Sequence, residues 1–330
     1  MKRKFFVRNF LLIAMPSVLV VALLGCMAVF MVYNSTVKEI RSSQQNSISQ
    51  IRESVEVIFS EADAQSMNYS VSPYIMVRLK SLLENGYMDK EQLDIAYMLK
   101  PFIDSNVNSK PFLHSVYIYL NNENRNFFAS GVGLANSLNY NDVDWIDAAG
   151  DTDMEKEQWL ETRSISEYLK SSYMTDVISL YRRVYGSVYS RPIGTIVLNI
   201  RKEYLENLME GYLNYEGQEI LIVGENGEVL CQAGESCYPK EAYLLESETS
   251  EGYGLTFISR VPAGAGYRLS GNMIKMVAAF VVISLSVGMI LAYFITKKNA
   301  GNVERVITLF ELAERGEKLP EISERETDEY

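Results

Sequence analysis

Phe10-Leu-Leu-Ile-Ala-Met-Pro-Ser-Val-Leu-Val-Val-Ala-Leu-Leu-Gly-Cys-Met-Ala-Val-Phe-Met-Val-Tyr33 and Met276-Val-Ala-Ala-Phe-Val-Val-Ile-Ser-Leu-Ser-Val-Gly-Met-Ile-Leu-Ala-Tyr-Phe-Ile-Thr296 bracket most of this 330-residue chain, and neither contains an Asp, Glu, Lys, Arg or His. Each exceeds the roughly 20 residues that a helix needs to cross a ~30 Å hydrocarbon core, so both are expected to span a membrane. Lys2, Arg3, Lys4 and Arg8 precede the first run and Lys297 and Lys298 follow the second. Positive charge favours the cytoplasmic side, which puts both termini inside and residues 34–271 outside in a two-pass cell-membrane protein. A cleaved signal peptide is the competing reading of the first run. It would have an apolar stretch of about 7–15 residues ending in small residues, whereas bulky Met31-Val32-Tyr33 closes this one. A buried core helix competes for the second run, against a nearly unbroken sequence of Val, Ile, Leu and Met. Pro16 is expected to bend the first span.

Charge separates by region, with about thirteen more acidic than basic side chains in residues 34–271. That field repels nucleic acid and anionic lipid, so no nucleic-acid contact is expected there. Hydrophobic residues make up 48% of the chain, enough for an outer segment with its own core. Cys26 lies within the first run and reads as a packing residue. Cys231 and Cys237 flank Gln-Ala-Gly-Glu-Ser and would lie outside, where a disulfide between them could persist or both could stay free. No neighbouring His or further Cys completes a metal site.

Beyond the first span, Val37, Ile40, Gln44, Ile48, Ile51, Val55, Ile58 and Ala62 recur at steps of three and four, with charged residues on the other sides. This predicts a long stalk helix over 34–72 whose stripe packs on a domain or on a second copy of itself. Pro73 ends or bends it. Further helix is expected over Leu79–Ile103, with breaks at Asn85-Gly86 and Pro101. From His114 the period becomes two: a strand to Leu120, a turn over Asn121–Asn124, and a hairpin partner over Arg125–Ser130. Gly131–Gly150 reads as a loop with a short helix near Asp142–Trp145. Strands follow at Asp176–Tyr185 and Gly194–Ile200, then a helix over Lys202–Met209. A second set opens at Gly217: Glu219–Val223, the turn Glu225-Asn226-Gly227 with the type I′ signature, and Glu228–Cys231. Leu255–Val261 and Tyr267–Leu269 would complete a small sheet.

The predicted class is α+β: two transmembrane helices flanking a long stalk helix that carries two stacked antiparallel-sheet subdomains. This order resembles the double Cache (PAS-like) sensor regions of bacterial transmembrane receptors, over about residues 34–270. Trp159-Leu-Glu-Thr-Arg163-Ser-Ile, Asp176-Val-Ile-Ser-Leu-Tyr-Arg-Arg183 and Gly194-Thr-Ile-Val-Leu-Asn-Ile200 are similar to the distal subdomain of membrane-bound AraC-type transcriptional regulators and related sensor kinases. The resemblance implies a cytoplasmic segment 1–9, spans at 10–33 and 273–296, a stalk at 34–72, a distal subdomain at 73–212, a proximal one at 213–271, and a juxtamembrane linker at 297–330. The Arg-x-Trp-Tyr element of the amino-acid-binding subclass is missing. The residues after Lys298 carry one more helical stripe, Val303, Val306, Ile307, Phe310 and Ala313, ended by Gly316 and Pro320. They leave no room for an output domain, so the sequence is expected to be a truncated receptor, or else its output is a separate protein.

Nothing here reads as catalysis. His114 is the lone histidine, so Ser-His-Asp and metallohydrolase arrangements lack their parts, no Walker-type loop occurs, and no cofactor is expected. Binding is the better-supported reading. A PAS-like sheet takes a small ligand on its concave face, with aromatics for contact and a few polar groups for orientation. Trp145, Trp159, Arg163, Tyr173, Asp176, Tyr181 and Arg182 fall in the stretch that would supply that wall, with Tyr117 and Tyr119 on one strand face. Arg163 either clamps a ligand carboxylate or hydroxyl pair, or forms a structural ion pair with Asp142, Asp144 or Asp176. Trp159 serves either as core or as ligand platform. The resemblance implies a carbohydrate or other nutrient as ligand, membrane lipid as surroundings, a homodimer, and an AraC-type output; a histidine kinase output or a membrane-anchored interaction protein are the alternatives.

Overall fold

The computed structural model describes residues 2–84, 89–150, 157–166, 173–186, 191–235 and 242–315. Two compact units emerge, Arg41–Ala265 and a second made of Met1–Ile40 with Gly266–Tyr330. Both long apolar runs are helical and lie in the second unit, within α1 (Lys2–Val71) and α6 (Ala265–Glu314). Each contains a window apolar and long enough to cross a membrane, and only 6% of each window is buried, which separates them from the core helices of a soluble protein. Inside this unit Gly25 lets the two helices approach closely, since a Cβ there would lie 2.7 Å from a Val281 methyl. Tyr33 stacks on Tyr267 at 4.3 Å. Tyr267–Leu269, expected as a strand, belongs to α6 instead. Its apolar residues serve helix packing, and a three-residue pattern cannot distinguish the two periods.

The first unit is α+β. After α1 come α2 (Pro73–Glu84) and α3 (Lys90–Asn108). Pro73 opens α2, a position where its missing N–H is harmless. Asp89 caps α3 through a reciprocal capping box with Gln92. Pro101, expected to break the helix, sits inside α3. The carbonyl it leaves without an intrahelical bond is that of Tyr97, and the helix continues because Leu99, Ile103 and Val107 on its other face are buried in the core. Asn85-Gly86, the other expected break, and Gly316–Pro320 lie outside the described residues.

The larger sheet is six-stranded and antiparallel, in the order β3-β2-β1-β6-β5-β4. Its strands are β1 (Leu113–Leu120), β2 (Phe127–Ala129), β3 (Gly133–Ala135), β4 (Gln158–Ile165), β5 (Thr175–Tyr185) and β6 (Pro192–Arg201). A short helix, α4 (Trp145–Gly150), lies between β3 and β4. The sequence reading missed β3, a three-residue edge, and β4, whose polar Glu161, Thr162 and Arg163 hide any apolar alternation. Strand parity sorts the two faces. Val116, Ile118, Leu120, Ile178, Leu180, Ile196 and Leu198 join the core with Ile48, Ile51, Val55 and Phe59 of α1, and the opposite face carries an aromatic cluster.

Gly194 sits on central strand β6 opposite Leu120 and Val184. A Cβ there would fall 2.1 Å from the Tyr119 carbonyl oxygen and 2.9 Å from Leu120 Cα. Backbone cannot give way as a side chain does, so Gly194→Ala is expected to cost about 2–3 kcal/mol in a denaturant melt. An unchanged midpoint would refute this packing.

Through α5 (Lys202–Glu210) the chain enters a four-stranded antiparallel sheet, β8-β7-β10-β9, made of β7 (Glu219–Val223), β8 (Val229–Ala233), β9 (Tyr243–Ser250) and β10 (Leu255–Pro262). The β7–β8 turn departs from the expected type I′. Gly227 alone has positive φ, at 82°, while Asn226 does not. Gly227 N donates to Gly224 O at 3.1 Å, and Gly224 N donates to Glu228 O at 2.9 Å. This is a longer loop closed by a left-handed glycine, the common alternative hairpin. The sequence reading overlooked β9, because Leu245-Glu-Ser-Glu-Thr-Ser250 alternates weakly at an edge. Cys231 is a free thiol, fully buried, and burial pushes its pKa up to about 12. Cys237, the partner considered for it, lies outside the described residues.

On α1, Ile48, Ile51, Val55, Ile58 and Ala62 are buried as the stripe requires. Gln44 interrupts that stripe and is also fully buried; its Nε2 donates to Leu244 O (3.2 Å), Ser259 O (3.2 Å) and Ser259 Oγ (3.0 Å). An apolar stripe repeating every turn tolerates one-turn slips, and a single polar position removes that degeneracy. Gln44→Leu keeps the volume and loses the bonds. It is expected to lower stability by about 1–2 kcal/mol in urea unfolding followed by circular dichroism; a gain in stability would show these bonds contribute nothing net.

Candidate functional site

Apart from Leu113 and Ile193, which join the core with α1, the odd-numbered apolar residues in the middle of the six-stranded sheet face away from α1 and build the candidate site. Tyr117 and Tyr119 of β1, Phe127 of β2, Val197 of β6 and Tyr181 of β5 form its floor, and the segment after β3 lays Tyr140, Trp145 and Ile146 over them. Trp145 stacks on Tyr117 at 5.4 Å and meets Phe127 edge-on at 5.2 Å. The Tyr140 hydroxyl donates to that of Tyr117 at 3.2 Å. Burial raises the Tyr117 hydroxyl well above the usual tyrosine range. Next to this cluster, Trp159 of β4 stacks on Tyr181 at 4.7 Å, and the guanidinium of Arg183 lies 5.2 Å from the Trp159 ring.

A polar chain crosses the same face. Arg163 Nε donates to Ser179 Oγ (2.9 Å), Nη1 to Asp142 Oδ1 (2.8 Å) and Nη2 to Asn199 Oδ1 (3.1 Å). Ser179 Oγ also donates to Asn199 Oδ1 (2.7 Å), and Asn199 Nδ2 donates to Ser115 Oγ (2.9 Å). The Arg163 and Asp142 side chains are 11% and 8% exposed, so this is a buried ion pair. Of the three acids open to Arg163 in the sequence reading, it takes Asp142. Burial raises the Asp142 pKa from its ordinary value, with the Arg163 charge opposing that shift.

Six of the nine residues singled out from sequence gather here: Tyr117, Tyr119, Trp145, Trp159, Arg163 and Tyr181. The other three lie elsewhere. Arg182, one step out of phase with Tyr181, faces α1 and bonds Asp63, its Nε donating to Oδ1 at 2.9 Å. Asp176 is exposed at the start of β5, and Tyr173 is 78% exposed just before it. Sequence reasoning missed Ser115, Ser179, Asn199, Phe127 and Tyr140 as site residues. Ser179 and Asn199 were readable as polar residues flanked by apolar ones, in Val177-Ile-Ser-Leu180 and Val197-Leu-Asn-Ile200; Tyr140, in a loop, carried no such mark. Among the described residues no group of three or more His, Cys, Asp and Glu is placed to hold a metal ion. Separately, a groove of about 190 Å³ runs between the start of β4 and the turns at 224–228 and 251–255, bordered by Gln158, Glu225, Glu228 and Tyr253.

No family model matches this sequence, and no curated relative does. Solved structures with a similar arrangement include the ligand-binding domain of the Campylobacter jejuni chemoreceptor Tlp3 in complex with L-valine, at 15% identity and TM-score 0.45, covering 73% of this chain and 98% of that one. The extracellular domain assigned to the histidine kinase soHK1S-Z6 is similar at 12% identity and TM-score 0.48, covering 72% and 98%. A domain of a sensory box/GGDEF family protein from Vibrio parahaemolyticus follows at 13% and 0.45, covering 71% and 99%. At such identities and scores, the functional assignment rests on the chain's own geometry.

Proposed function

We propose that this chain is the sensing and membrane-spanning part of a two-pass receptor of the double Cache type, and that a small molecule binds on the aromatic face of its distal sheet. The observation that carries this is the combination, on one sheet face, of a buried Arg163–Asp142 pair and a cluster of stacked aromatics. Purely structural packing would be cheaper without buried charge, because an apolar replacement of similar volume is often as stable or more so. A ligand site needs both elements: apolar surface for contact and fixed polar groups for orientation. α1 continues from the sensing unit into the first apolar run. Ligand bound against the sheet would bias the arrangement of the helices that reach the membrane by its differential affinity for two states. Both termini lie in the cytoplasm in this reading, the spans are surrounded by lipid, and the receptor acts as a homodimer. Carbohydrates and other nutrients are the first ligands to test. Output through an AraC-type module and through a histidine kinase are both compatible with this architecture.

A partner protein is the second reading, favoured by apolar side chains exposed on α2 and α3: Tyr74, Val77, Tyr97 and Phe102 are each about half exposed or more.

The test uses the full chain in lipid nanodiscs. Its two tryptophans both lie at the site, so their emission reports this face directly. A saturable change with one metabolite class, accompanied by a raised melting temperature, is the expected result. Silence across sugars, polyols, organic acids, amines and peptides would shift the assignment to a protein partner.

A further inference from the structure

Within the proposed distal site, and resting on that reading, the hydrogen bonds of Arg163 and Asp142 are unequal. Three nitrogens of the Arg163 guanidinium are each engaged, by Ser179, Asp142 and Asn199. Asp142 Oδ1 is engaged by Arg163, while Asp142 Oδ2 is buried and has no hydrogen-bond partner among the described residues. The nearby Tyr117 hydroxyl helps hold the carboxylate charged without forming a hydrogen bond of normal geometry to Oδ2. A buried carboxylate oxygen without a donor costs free energy, and native structures rarely leave one so. Asp142 lies on the segment that roofs the aromatic floor, three residues before Trp145, whose Nε1 donates to the Asp142 carbonyl at 3.1 Å.

We propose that Asp142 Oδ2 is the atom that reads the ligand and that Arg163 is a positioning residue, so the site takes a small molecule presenting a hydroxyl or ammonium donor, not an anion. The guanidinium already commits three of its five N–H donors to Ser179, Asp142 and Asn199, and a ligand carboxylate could reach only the remaining Nη donors, beside Asp142. It would then lie against a second negative charge, with Glu161, which accepts from the Tyr181 hydroxyl at 2.8 Å, on the same strand face. A donor meets the open lone pairs of Oδ2 at no such cost, and the adjoining aromatic rings supply contact for the ligand's carbon skeleton. Hydroxyls and ammonium groups share this chemistry. Polyols and amines are therefore the two sources to separate.

The experiment is a tryptophan-emission titration of the full chain in nanodiscs with parallel panels of polyols, primary amines and carboxylates, repeated on Asp142→Asn. That substitution is isosteric and turns the reading acceptor into an N–H donor. The expected result is that the responding panel carries hydroxyl or ammonium groups and that Asp142→Asn weakens its best member by about 10- to 100-fold. O-methylation or N-acylation of that compound should abolish binding to the unmutated protein, a readout that does not depend on the variant folding. A best ligand that is an anion, bound as well or better by Asp142→Asn, would make Arg163 the clamp and overturn the proposal. A donor-bearing ligand insensitive to both changes would also overturn it and leave the small-molecule reading standing. Silence in every panel would remove the small-molecule reading itself, and this inference with it.

Discussion

Arg163→Ala is expected to cost about 3–5 kcal/mol of unfolding free energy. Removing one partner of a buried ion pair leaves the other charge uncompensated, and the penalty is that charge's desolvation more than the lost attraction. Here the stranded group is Asp142, 8% exposed, whose second oxygen has no hydrogen-bond partner among the described residues. Ser179 and Asn199 would lose a donor each, although they keep the bond to one another. Urea unfolding of the full chain in micelles, followed by tryptophan emission, reads the loss. Acidification supplies the control. The Asp142 pKa is raised in the folded chain above its ordinary 3.8, so the fold binds that proton more tightly than the unfolded chain does. Its contribution to stability is therefore greatest below 3.8 and is lost as pH rises through the folded-state value. Without Arg163, which opposes the rise, that value moves further up, and the variant should regain part of its stability as the pH is lowered from neutral. A loss under about 1 kcal/mol, or a variant that fails to recover on acidification, would contradict the buried-pair account.

How much of this was legible beforehand follows from which physical signals are local. The apolar runs in α1 and α6, the stripe from Gln44 to Ala62, and strands β1, β5, β6, β7 and β10 are periodic over five or more residues, so the pattern itself declares them. Edge strands β4 and β9 escaped because one side of an edge is solvent, and Glu161, Glu246 and Glu248 replace the apolar alternation that a central strand needs. Pro101 misled because the buried face of α3, Leu99, Ile103 and Val107, holds the helix continuous despite the lost bond. The Asn226-Gly227 turn was found in place but not in type, since its two central angles depend on the loop length that the strand register imposes. Strand parity explains the site. Once β5 is a strand, Tyr181 and Arg182 must face opposite ways, and only the first can share a face with Tyr117. The sequence reading counted both as candidates because it had no means of choosing which face lay against α1.

The same logic distinguishes the two tryptophans, which the sequence offers as equivalent aromatic candidates. Trp145→Ala is expected to lose about 3–5 kcal/mol, the range for truncating a large buried aromatic. Its ring is 2% exposed and packs on Tyr117, Phe127 and Tyr119 at once, with centroids 5.4, 5.2 and 6.3 Å away. Its indole N–H also ties the roof segment to itself at the Asp142 carbonyl. The vacated space is bordered by rings on two β-strands that hydrogen-bonding fixes in place, so the cavity cannot collapse cheaply. Trp159 is half-buried on an edge strand and, among the described residues, stacks on Tyr181 alone. Trp159→Ala should therefore lose about 1–2 kcal/mol, with Tyr181 still covered by its own neighbours. Denaturant melts of the two variants, read by far-UV circular dichroism because each removes a fluorophore, compare them directly. If Trp159→Ala proved the more damaging, the roof over Tyr117 would contribute little to folding. In the expected order, Trp145 is structural support for the aromatic floor, and the half-buried Trp159 is the ring that a ligand of the proposed site would meet without unpacking the sheet.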